Sequence, residues 1–410
     1  MAVATNPFRP GAGQDPVYLA GRTKEQDQFE RLLKQSPILE NAILTGLRGV
    51  GKTVLLRTFK PISQKHGWLW TGNDLSESAS LTEERIAIRI ITDLSILLSP
   101  IFVHQQETLP LGFHGKTQTI KSPLSFDDLW KIFETTPGLV EDKLKTTLLH
   151  VRGLLESAGI PGVVFAYDEA QIMSDHAAVN QYPLSLLLDV FSFLQRQQSQ
   201  SKFLLVLTGL PTLFPRLNEA RTYTERMFHV MYLDKLGAVD SRMAIEKPIE
   251  LTKSRLQFSN STISSIVKMS GGYPYFIQYI CKEVFDAWID HAKDGQAPSV
   301  PSAEIIRKLD QDFFSPRWER ATDRQQEFMQ VIATLSQSGH EFSAQEIAVA
   351  SKDVLQKGFS PSHAVQILQN LAEKGLIYRN TKYGKYSFAV PLLAEFIQRQ
   401  MLKGASRKPG

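Results

Sequence analysis

Cysteine is nearly absent from this chain, which has one, Cys281, among 410 residues. A single cysteine cannot form an internal disulfide, so the fold has to rest on a noncovalent core, as is usual in a reducing compartment. We expect Cys281 to be a core residue beside Ile280 rather than a reactive thiol.

Long apolar runs and a strong charge are missing too. No run reaches the roughly 18 residues that a membrane span requires, and the first residues lack the basic and then apolar pattern of a secretory signal. The net charge of +4 permits a nucleic-acid partner without indicating one. With 42% hydrophobic residues, the composition predicts a cytoplasmic globular protein, and the length predicts two or three domains.

Apolar strand-like segments alternate with helical patterns in residues 1–236. This alternation predicts a parallel sheet with helices on both faces, with strands at 42–45, 68–70, 163–167 and 203–207. Residues 99–126 interrupt the pattern without any periodicity, and we interpret them as a long loop or insertion.

Strand signals stop after residue 236. Residues 237–300 predict a small helical domain, and residues 301–322 a linker. Residues 323–410 begin with short helices and continue into a hairpin that turns at Tyr383-Gly384, which is typical of a winged helix followed by a basic tail.

The segment from Gly46 to Thr53 matches the phosphate-binding pattern G-x-x-x-x-G-K-[ST]. Its glycines let backbone N–H groups close around phosphate oxygens, and the helix that follows directs its positive end at them. Lys52 would reach the β- and γ-phosphates, and the Thr53 hydroxyl would ligate Mg²⁺. The nucleotide contacts predicted here come from Gly46, Gly49, Val50, Gly51, Lys52, Thr53 and Val54.

Two acidic residues, Asp168 and Glu169, end the apolar strand 163–167. Downstream of a phosphate-binding loop, Asp168 at the end of the strand would hold Mg²⁺ through water. Glu169 would orient or deprotonate the water that attacks the γ-phosphate. Hydrolysis needs such a residue in addition to the groups that bind the phosphates and Mg²⁺. The sequence therefore predicts a hydrolytic ATP site.

With these motifs, the chain resembles the AAA+ ATPases, and among them the prokaryotic initiator (origin-recognition-like) proteins and the related STAND signalling ATPases. The resemblance runs from Asn6 to about Met401. It implies a three-layer α/β domain with a parallel sheet, a helical lid and a C-terminal winged helix. It also implies ATP or ADP and Mg²⁺ as cofactors.

Three further segments carry the resemblance. Tyr18-Leu-Ala-Gly-Arg22 is similar to the segment that packs beside adenine, which implies nucleotide contacts from Tyr18 and Arg22. Thr208 stands where a sensor residue would touch the γ-phosphate or the attacking water. Arg226 stands where a neighbouring subunit supplies an arginine finger, which implies self-association; Arg221 and Arg216 are its competitors.

The lid segment Ser270–Gln278 departs from the initiator pattern. No arginine lies between Gly271 and Lys282, where initiator-type proteins carry a sensor-2 arginine. Gly272-Tyr273-Pro274 instead resembles the GxP element of STAND ATPases, which implies that Pro274 contacts the nucleotide.

The candidate recognition helix 361–374 has a predicted core stripe of Val365, Leu368, Leu371 and Ala372. Its remaining polar side chains could read base edges, but the helix lacks the arginine that most often reads guanine; the outward side chains are His363, Gln366, Gln369 and Asn370. Residues 374–410 carry eight basic residues and one acid, Glu395. Among them Arg379, Lys382 and Lys385 suit contacts with DNA phosphates.

Two functions therefore stand side by side. The leading hypothesis is an ATP-hydrolysing AAA+ protein that associates with DNA through its winged helix, with oligomerisation controlled by nucleotide. The alternative is a STAND-like signalling or defence switch with a slow turnover, acting on a protein partner. A metabolic kinase is disfavoured, because Glu169 favours hydrolysis and a kinase needs neither lid nor winged helix.

Overall fold

The computed structural model describes residues 5–11, 14–72, 74–76, 78–100, 102–109, 116–197, 202–254, 256–293, 300–335, 341–380 and 384–405. Its strands are, in chain order, β1 Asn41–Gly46, β2 Leu69–Thr71, β3 Phe102–Leu109, β4 Lys116–Pro123, β5 Val163–Tyr167, β6 Phe203–Gly209, β7 Phe228–Leu233, β8 Phe342–Ser343, β9 Ile377–Arg379 and β10 Lys385–Phe388.

Helices make up most of the remaining regular structure. Those before the lid are α1 Thr23–Leu33, α2 Lys52–Lys65, α3 Glu83–Leu98, α4 Phe126–Thr135, α5 Val140–Ser157, α6 Pro183–Arg196, α7 Leu213–Ala220 and α8 Thr224–Met227. Those that follow are α9 Ala238–Leu251, α10 Asn260–Ser270, α11 Pro274–Lys293, α12 Ser302–Leu309, α13 Ser315–Trp318, α14 Asp323–Leu335, α15 Ala344–Val354, α16 Pro361–Glu373 and α17 Leu393–Ala405. None of the helices in the described ranges is long and apolar enough to cross a membrane.

The central sheet is parallel throughout and has the strand order β2-β5-β6-β1-β7. Strands β1, β5 and β6 are buried along their whole length, as expected for a sheet covered on both faces. The edge strand β7 was not predicted, because it alternates buried with partly exposed residues and leaves Tyr232 60% exposed. The parallel order brings the carboxyl ends of β1, β5 and β6 to one edge.

The interpretation of residues 99–126 as a loop was wrong. Helix α3 continues to Leu98, and β3 and β4 form an antiparallel hairpin in which Phe102 faces Pro123 and Leu109 faces Lys116. The two strands could not be predicted from their polar sequence. In a two-stranded ribbon each strand provides the backbone hydrogen bonds of the other, so no regular apolar alternation is needed.

The interpretation of residues 301–322 as a linker also needs correction. Helix α12 is followed by a π-helical turn, Asp310–Phe314, and by α13. This segment is ordered by aromatic packing: Phe314 stacks on Phe396 of α17 at 5.3 Å between ring centroids, and Phe313 contacts Phe276 of the lid at 5.1 Å. A π-helical turn inside a helical stretch is rare and often marks a functional position.

Residues 323–405, called the C-terminal unit below, contain α14, β8, α15, α16, β9, β10 and α17. The three strands form a small antiparallel sheet with the order β8-β10-β9. One continuous apolar core joins this unit to the lid helices, and it includes Phe276, Phe285, Phe328 and Phe396. The C-terminal unit is therefore packed onto the lid.

Helix α16 begins at the N-cap Ser360, whose hydroxyl accepts from the backbone N–H of His363, with Pro361 in the first turn. Its core face consists of Ala364, Ile367, Leu368 and Leu371. The predicted stripe was wrong at Val365, which is 40% exposed, because the helix is rotated by one position relative to the predicted stripe. The polar side chains His363, Gln366, Gln369 and Asn370 are exposed.

Candidate functional site

The loop between β1 and α2 has the backbone of a phosphate cradle. Gly49 and Gly51 have φ values of +78° and +93°, a region that side chains other than glycine rarely adopt. At Gly46 a Cβ would lie 2.3 Å from the carbonyl oxygen of Leu233, so this position also requires glycine. No side chain caps the N-terminus of α2, which leaves its backbone N–H groups directed at the loop.

Lys52 is the first residue of α2 and is 8% exposed. Its ammonium donates to the carbonyl oxygens of Gly46 at 2.9 Å and Leu47 at 3.0 Å. Burial lowers the pKa of Lys52 to about 8, although Glu169 and Asp168 favour the charged form. A buried cation whose partners are neutral carbonyls is suited to an anionic ligand.

Asp168 stands at the end of β5 and collects hydroxyl groups from two other elements. Thr53 of α2 donates to Oδ2 at 2.5 Å, and Thr208 at the end of β6 donates to Oδ1. The backbone N–H of Glu169 donates to Oδ1 at 2.8 Å. Residues 53, 168 and 208 therefore meet at one point, as the parallel sheet order requires.

A magnesium ion fits this donor set. Mg²⁺ is typically held by one or two protein oxygens together with phosphate and water oxygens, and Thr53 and Asp168 offer a hydroxyl and a carboxylate in direct contact. The described residues hold no group of three or more His, Cys, Asp or Glu side chains that could bind a metal alone. Thr208 is fully buried and contacts Asp168, so in this structure it positions that carboxylate.

Glu169 has a left-handed backbone, with φ of 54°, and lies on the wall of a cavity beside the loop. Its Oε2 accepts from the side-chain amide of Gln171, whose Oε1 accepts from the backbone N–H of Leu210 at 3.1 Å. Gln171 therefore fixes the carboxylate relative to β6. Nothing in the sequence marks Gln171, since a glutamine in a polar turn carries no motif of its own.

The cavity has a volume of about 510 Å³, within the usual range for small-molecule sites. Residues 49–54 of the loop form one side of it. Residues 9–11 and 14–22, the N-terminal arm, and the start of α11 form other sides, with Tyr18, Arg22 and Pro274 on the wall. The cavity therefore brings these three predicted residues together with residues 49–54, whereas Gly46 does not line it.

Arg22 is 6% exposed and is held by the protein backbone. Its guanidinium donates to the carbonyl oxygens of Val50 at 3.0 Å and Asp234 at 2.7 Å. Burial lowers its pKa, which Glu25, Asp234 and Asp240 partly oppose. Arg22 thus ties the phosphate loop to the end of β7.

The lid contacts the phosphate loop directly. The backbone N–H of Tyr275, at the start of α11, donates to the carbonyl oxygen of Gly49 at 3.1 Å. The carbonyl of Gly272 in turn accepts from the N–H of Leu236 at 2.8 Å. The lid is therefore joined to the loop by backbone contacts at the turn where the sequence lacks an arginine.

The three candidate finger arginines differ in their contacts. Arg221 forms an ion pair with Asp189 at 2.7 Å, and Arg216 donates to the backbone carbonyl of Gln171. Arg226 on α8 is exposed, and within the described part of the chain its side chain forms no hydrogen bond or ion pair. It does not line the cavity, so its guanidinium is the one of the three that is free to act on another molecule.

Comparison with known proteins locates the fold. The structure is similar to that of the Aeropyrum pernix ORC2 protein in its ADP form, with a TM-score of 0.54 and 12% sequence identity over 96% of this chain and 99% of that one. The same protein in ADPNP-ADP complexes gives a TM-score of 0.50, with 13% identity over 97% and 98% of the two chains. The chain therefore shares the fold of the ORC2 protein, built around the five-stranded parallel sheet.

Cdc6p from Pyrobaculum aerophilum is similar at a TM-score of 0.47, with 14% identity and coverage of 98% of this chain and 100% of that one. A family model described as a domain of unknown function, DUF8462, matches residues 311–397. No curated protein sequence matches the chain significantly. The matched domain begins inside the π-helical turn, which precedes the C-terminal unit and lines the cavity.

Proposed function

We propose that this protein binds ATP with Mg²⁺ and hydrolyses it slowly, and that the nucleotide state governs the position of the lid and the C-terminal unit. The observation that carries the proposal is the convergence of Lys52, Thr53, Asp168 and Glu169 at the carboxyl edge of the sheet, next to a cavity. The ORC2 structures with ADP and ADPNP support it through their shared fold.

Each side chain has a defined task in this proposal. The Lys52 ammonium exchanges its carbonyl partners for phosphate oxygens, and Thr53 and Asp168 hold Mg²⁺, which when bound neutralises charge on the phosphates. Glu169 accepts a proton from, or orients, the attacking water, and Gln171 holds its carboxylate in place. Thr208 keeps Asp168 aligned.

Nucleotide binding by a Lys52→Ala variant tests the core of the proposal. A fluorescent ATP analogue should bind the wild type and should not bind the variant measurably, because the phosphates lose their buried cation. Lys65→Ala is the matched control, since Lys65 is exposed at the far end of the same helix. Equal binding by Lys52→Ala and wild type would show that the cavity is not a phosphate site.

A switch acting on a protein partner is the output that the contacts favour. The C-terminal unit packs against the lid turn: a Cβ at Gly271 would lie 3.2 Å from the Leu392 side chain. Lys374 of this unit donates to the Arg320 carbonyl at 2.8 Å, and Lys385 pairs with Glu346 at 2.7 Å. Because both cations are bound by groups of the same chain, these contacts support a role within the protein better than they support DNA binding.

Association with DNA is the second candidate, and the exposed polar face of α16 favours it. Of the three residues predicted for phosphate contacts, Arg379 and Lys385 are described and Lys382 lies outside the described residues, as do Arg407 and Lys408 of the tail. Salt-titrated DNA binding with ATP analogue, with ADP and without nucleotide separates the two outputs. Absence of binding at low salt in every state rules out DNA, whereas binding that weakens steeply with salt supports it.

Self-association belongs to the same proposal, with Arg226 acting on a neighbouring site. Its exposure and its freedom from internal partners in the described part of the chain support this role. Sizing the protein with ADP and with a non-hydrolysable ATP analogue tests it. An unchanged monomer in both conditions would contradict a shared site.

A further inference from the structure

The segment Asp310–Trp318 forms a wall of the cavity, although it belongs to neither the sheet domain nor the lid. Asp312, Phe313 and Arg317 all line the cavity. The segment is held against α17 by the Phe314–Phe396 stack and by the ion pair of Arg399 with Asp310. The C-terminal part of the chain therefore reaches the candidate nucleotide site directly.

Arg317 is held in place by uncharged groups. Its guanidinium carbon lies 3.8 Å from the centroid of the Phe313 ring, and one of its N–H groups donates to the Phe313 carbonyl oxygen at 2.5 Å. In the described part of the chain no carboxylate pairs with it, and the nearby Asp312 accepts instead from the Tyr279 hydroxyl at 3.4 Å. The half-buried guanidinium of Arg317 is thus held in a fixed orientation and has no acidic partner in the described part of the chain, so it is suited to binding an anionic ligand.

Arg48 carries a second uncompensated charge beside it. It is the third residue of the phosphate loop, it lines the cavity, and it has no hydrogen bond or ion pair among the described residues. Burial and then the charge of Arg48 lower the pKa of Arg317, and Arg48 also lowers that of Lys52. Arg48, Lys52 and Arg317 therefore all line the cavity, and Arg48 is near enough to both of the other cations to influence them.

The position of these cations separates the two ends of the cavity. Lys52 marks the end for the β- and γ-phosphates, since its place in the loop fixes its reach. The apolar wall of Ala20, Leu236 and Ala244 marks the end for the base. The Phe313 ring, on which the Arg317 guanidinium lies, packs 5.2 Å from the Tyr275 ring, and the Tyr275 N–H donates to the Gly49 carbonyl oxygen at 3.1 Å. Arg317 therefore lies beside the loop that carries Arg48 and Lys52, at the phosphate end of the site.

Resting on the proposed function, we propose that Arg317 binds the terminal phosphate of ATP together with Arg48 and is the residue through which the C-terminal unit senses ATP. Two guanidinium groups that lack an acid are stabilised by an anion between them. ADP lacks the γ-phosphate, which is the terminal phosphate of ATP, so the two nucleotides differ in their interaction with Arg317. Only such a difference lets a ligand shift the position of the C-terminal unit.

Nucleotide selectivity of an Arg317→Met variant tests the proposal. Methionine keeps the aliphatic contact with Phe313 and removes the charge. The affinity for a non-hydrolysable ATP analogue should fall by about tenfold or more, as expected for one lost charged hydrogen bond, while the ADP affinity stays within about twofold. Arg320→Met is the matched control, because Arg320 is exposed nearby and does not line the cavity.

The outcomes for the two nucleotides distinguish the role of Arg317 from the proposed function. A loss confined to the ATP analogue supports the assignment. An equal loss for both nucleotides, or no loss, overturns it, provided that the variant melts as cooperatively as the wild type. Failure of the wild type itself to bind either nucleotide, or equal binding by Lys52→Ala, contradicts the proposed function instead, so the two failures are distinguishable.

Hydrogen exchange gives a readout that does not depend on affinity. In the wild type, saturating ATP analogue should slow amide exchange in residues 310–318 relative to ADP, because the phosphate holds Arg317. In Arg317→Met at saturating nucleotide, ATP analogue and ADP should give equal exchange in that segment. A difference that persists in the variant would overturn the sensing role.

Discussion

The cations of the proposed nucleotide site and those of the C-terminal unit have opposite surroundings. Lys52, Arg48 and Arg317 face a cavity and, in the described part of the chain, form no ion pair with a carboxylate. In the C-terminal unit, Lys385 pairs with Glu346, and Arg399 pairs with the buried Asp310. The eight basic residues of 374–410 suggested an anion-binding surface there, but the pairing of Lys385 and Arg399 with acids distinguishes that region from the cations of the cavity.

The strongest test of the nucleotide side of this comparison is Glu169→Gln. The amide cannot accept a proton from water, so turnover should fall by roughly 10³-fold while ATP affinity is retained. Phosphate release under single-turnover conditions measures it. Glu225→Gln, at an exposed acid of α8, is the control. Wild-type turnover in Glu169→Gln would show that another group activates the water.

Arg226→Ala tests a third kind of cation, one that neither lines the cavity nor pairs with an acid in the described part of the chain. Loss of a charge-stabilising donor should lower turnover by about 10²-fold without lowering ATP affinity. The effect should appear only in preparations that form oligomers, and Arg221→Ala is a useful contrast because it breaks the Asp189 pair instead. If dilute monomers lose as much activity, the finger assignment is wrong.

The pH dependence of nucleotide binding tests whether the positive charge of Lys52 is destabilised by burial, as its surroundings indicate. Burial lowers the pKa of Lys52 to about 8 in the free protein, so the lysine becomes neutral above that pH. Phosphate binds the ammonium form, and the affinity for ATP analogue should fall by about tenfold per pH unit above roughly pH 8. Titration of binding from pH 7 to 9.5, with the melting temperature followed in parallel, measures this. A flat profile would mean that Lys52 remains charged.

Arg399→Met tests the C-terminal side of the comparison and has the smallest expected effect. Among the described residues it leaves the buried Asp310 carboxylate with one ion-pair partner, Lys403 at 3.8 Å, so the free energy of unfolding should fall by roughly 1–3 kcal/mol. Lys385→Met breaks a more exposed pair and should cost less than about 1 kcal/mol. Denaturant unfolding of both variants measures the difference. If both are neutral, these cations are not structural and remain available for DNA.

Much of the candidate site could be located from the sequence because its parts are short contiguous motifs. The loop 46–53 and the pair Asp168-Glu169 carry their chemistry in local spacing, and segments 163–167 and 203–207 are continuous apolar runs. Gln171 and Arg317 could not be found this way. Their roles depend on contacts with Leu210 and Phe313 and on the shape of the cavity.

Local sequence by itself determined that this chain has a parallel sheet, a glycine-rich loop followed by a helix, and two acids at a strand end, because backbone conformation and apolar period act over a few residues. Tertiary structure alone decided which charges are paired. It placed Asp310 under Arg399, left Arg48 and Arg317 without an acid in the described part of the chain, and brought the segment after the lid to the cavity. Electrostatic pairing depends on distances between residues that are far apart in the chain, and such distances exist only once the core has packed.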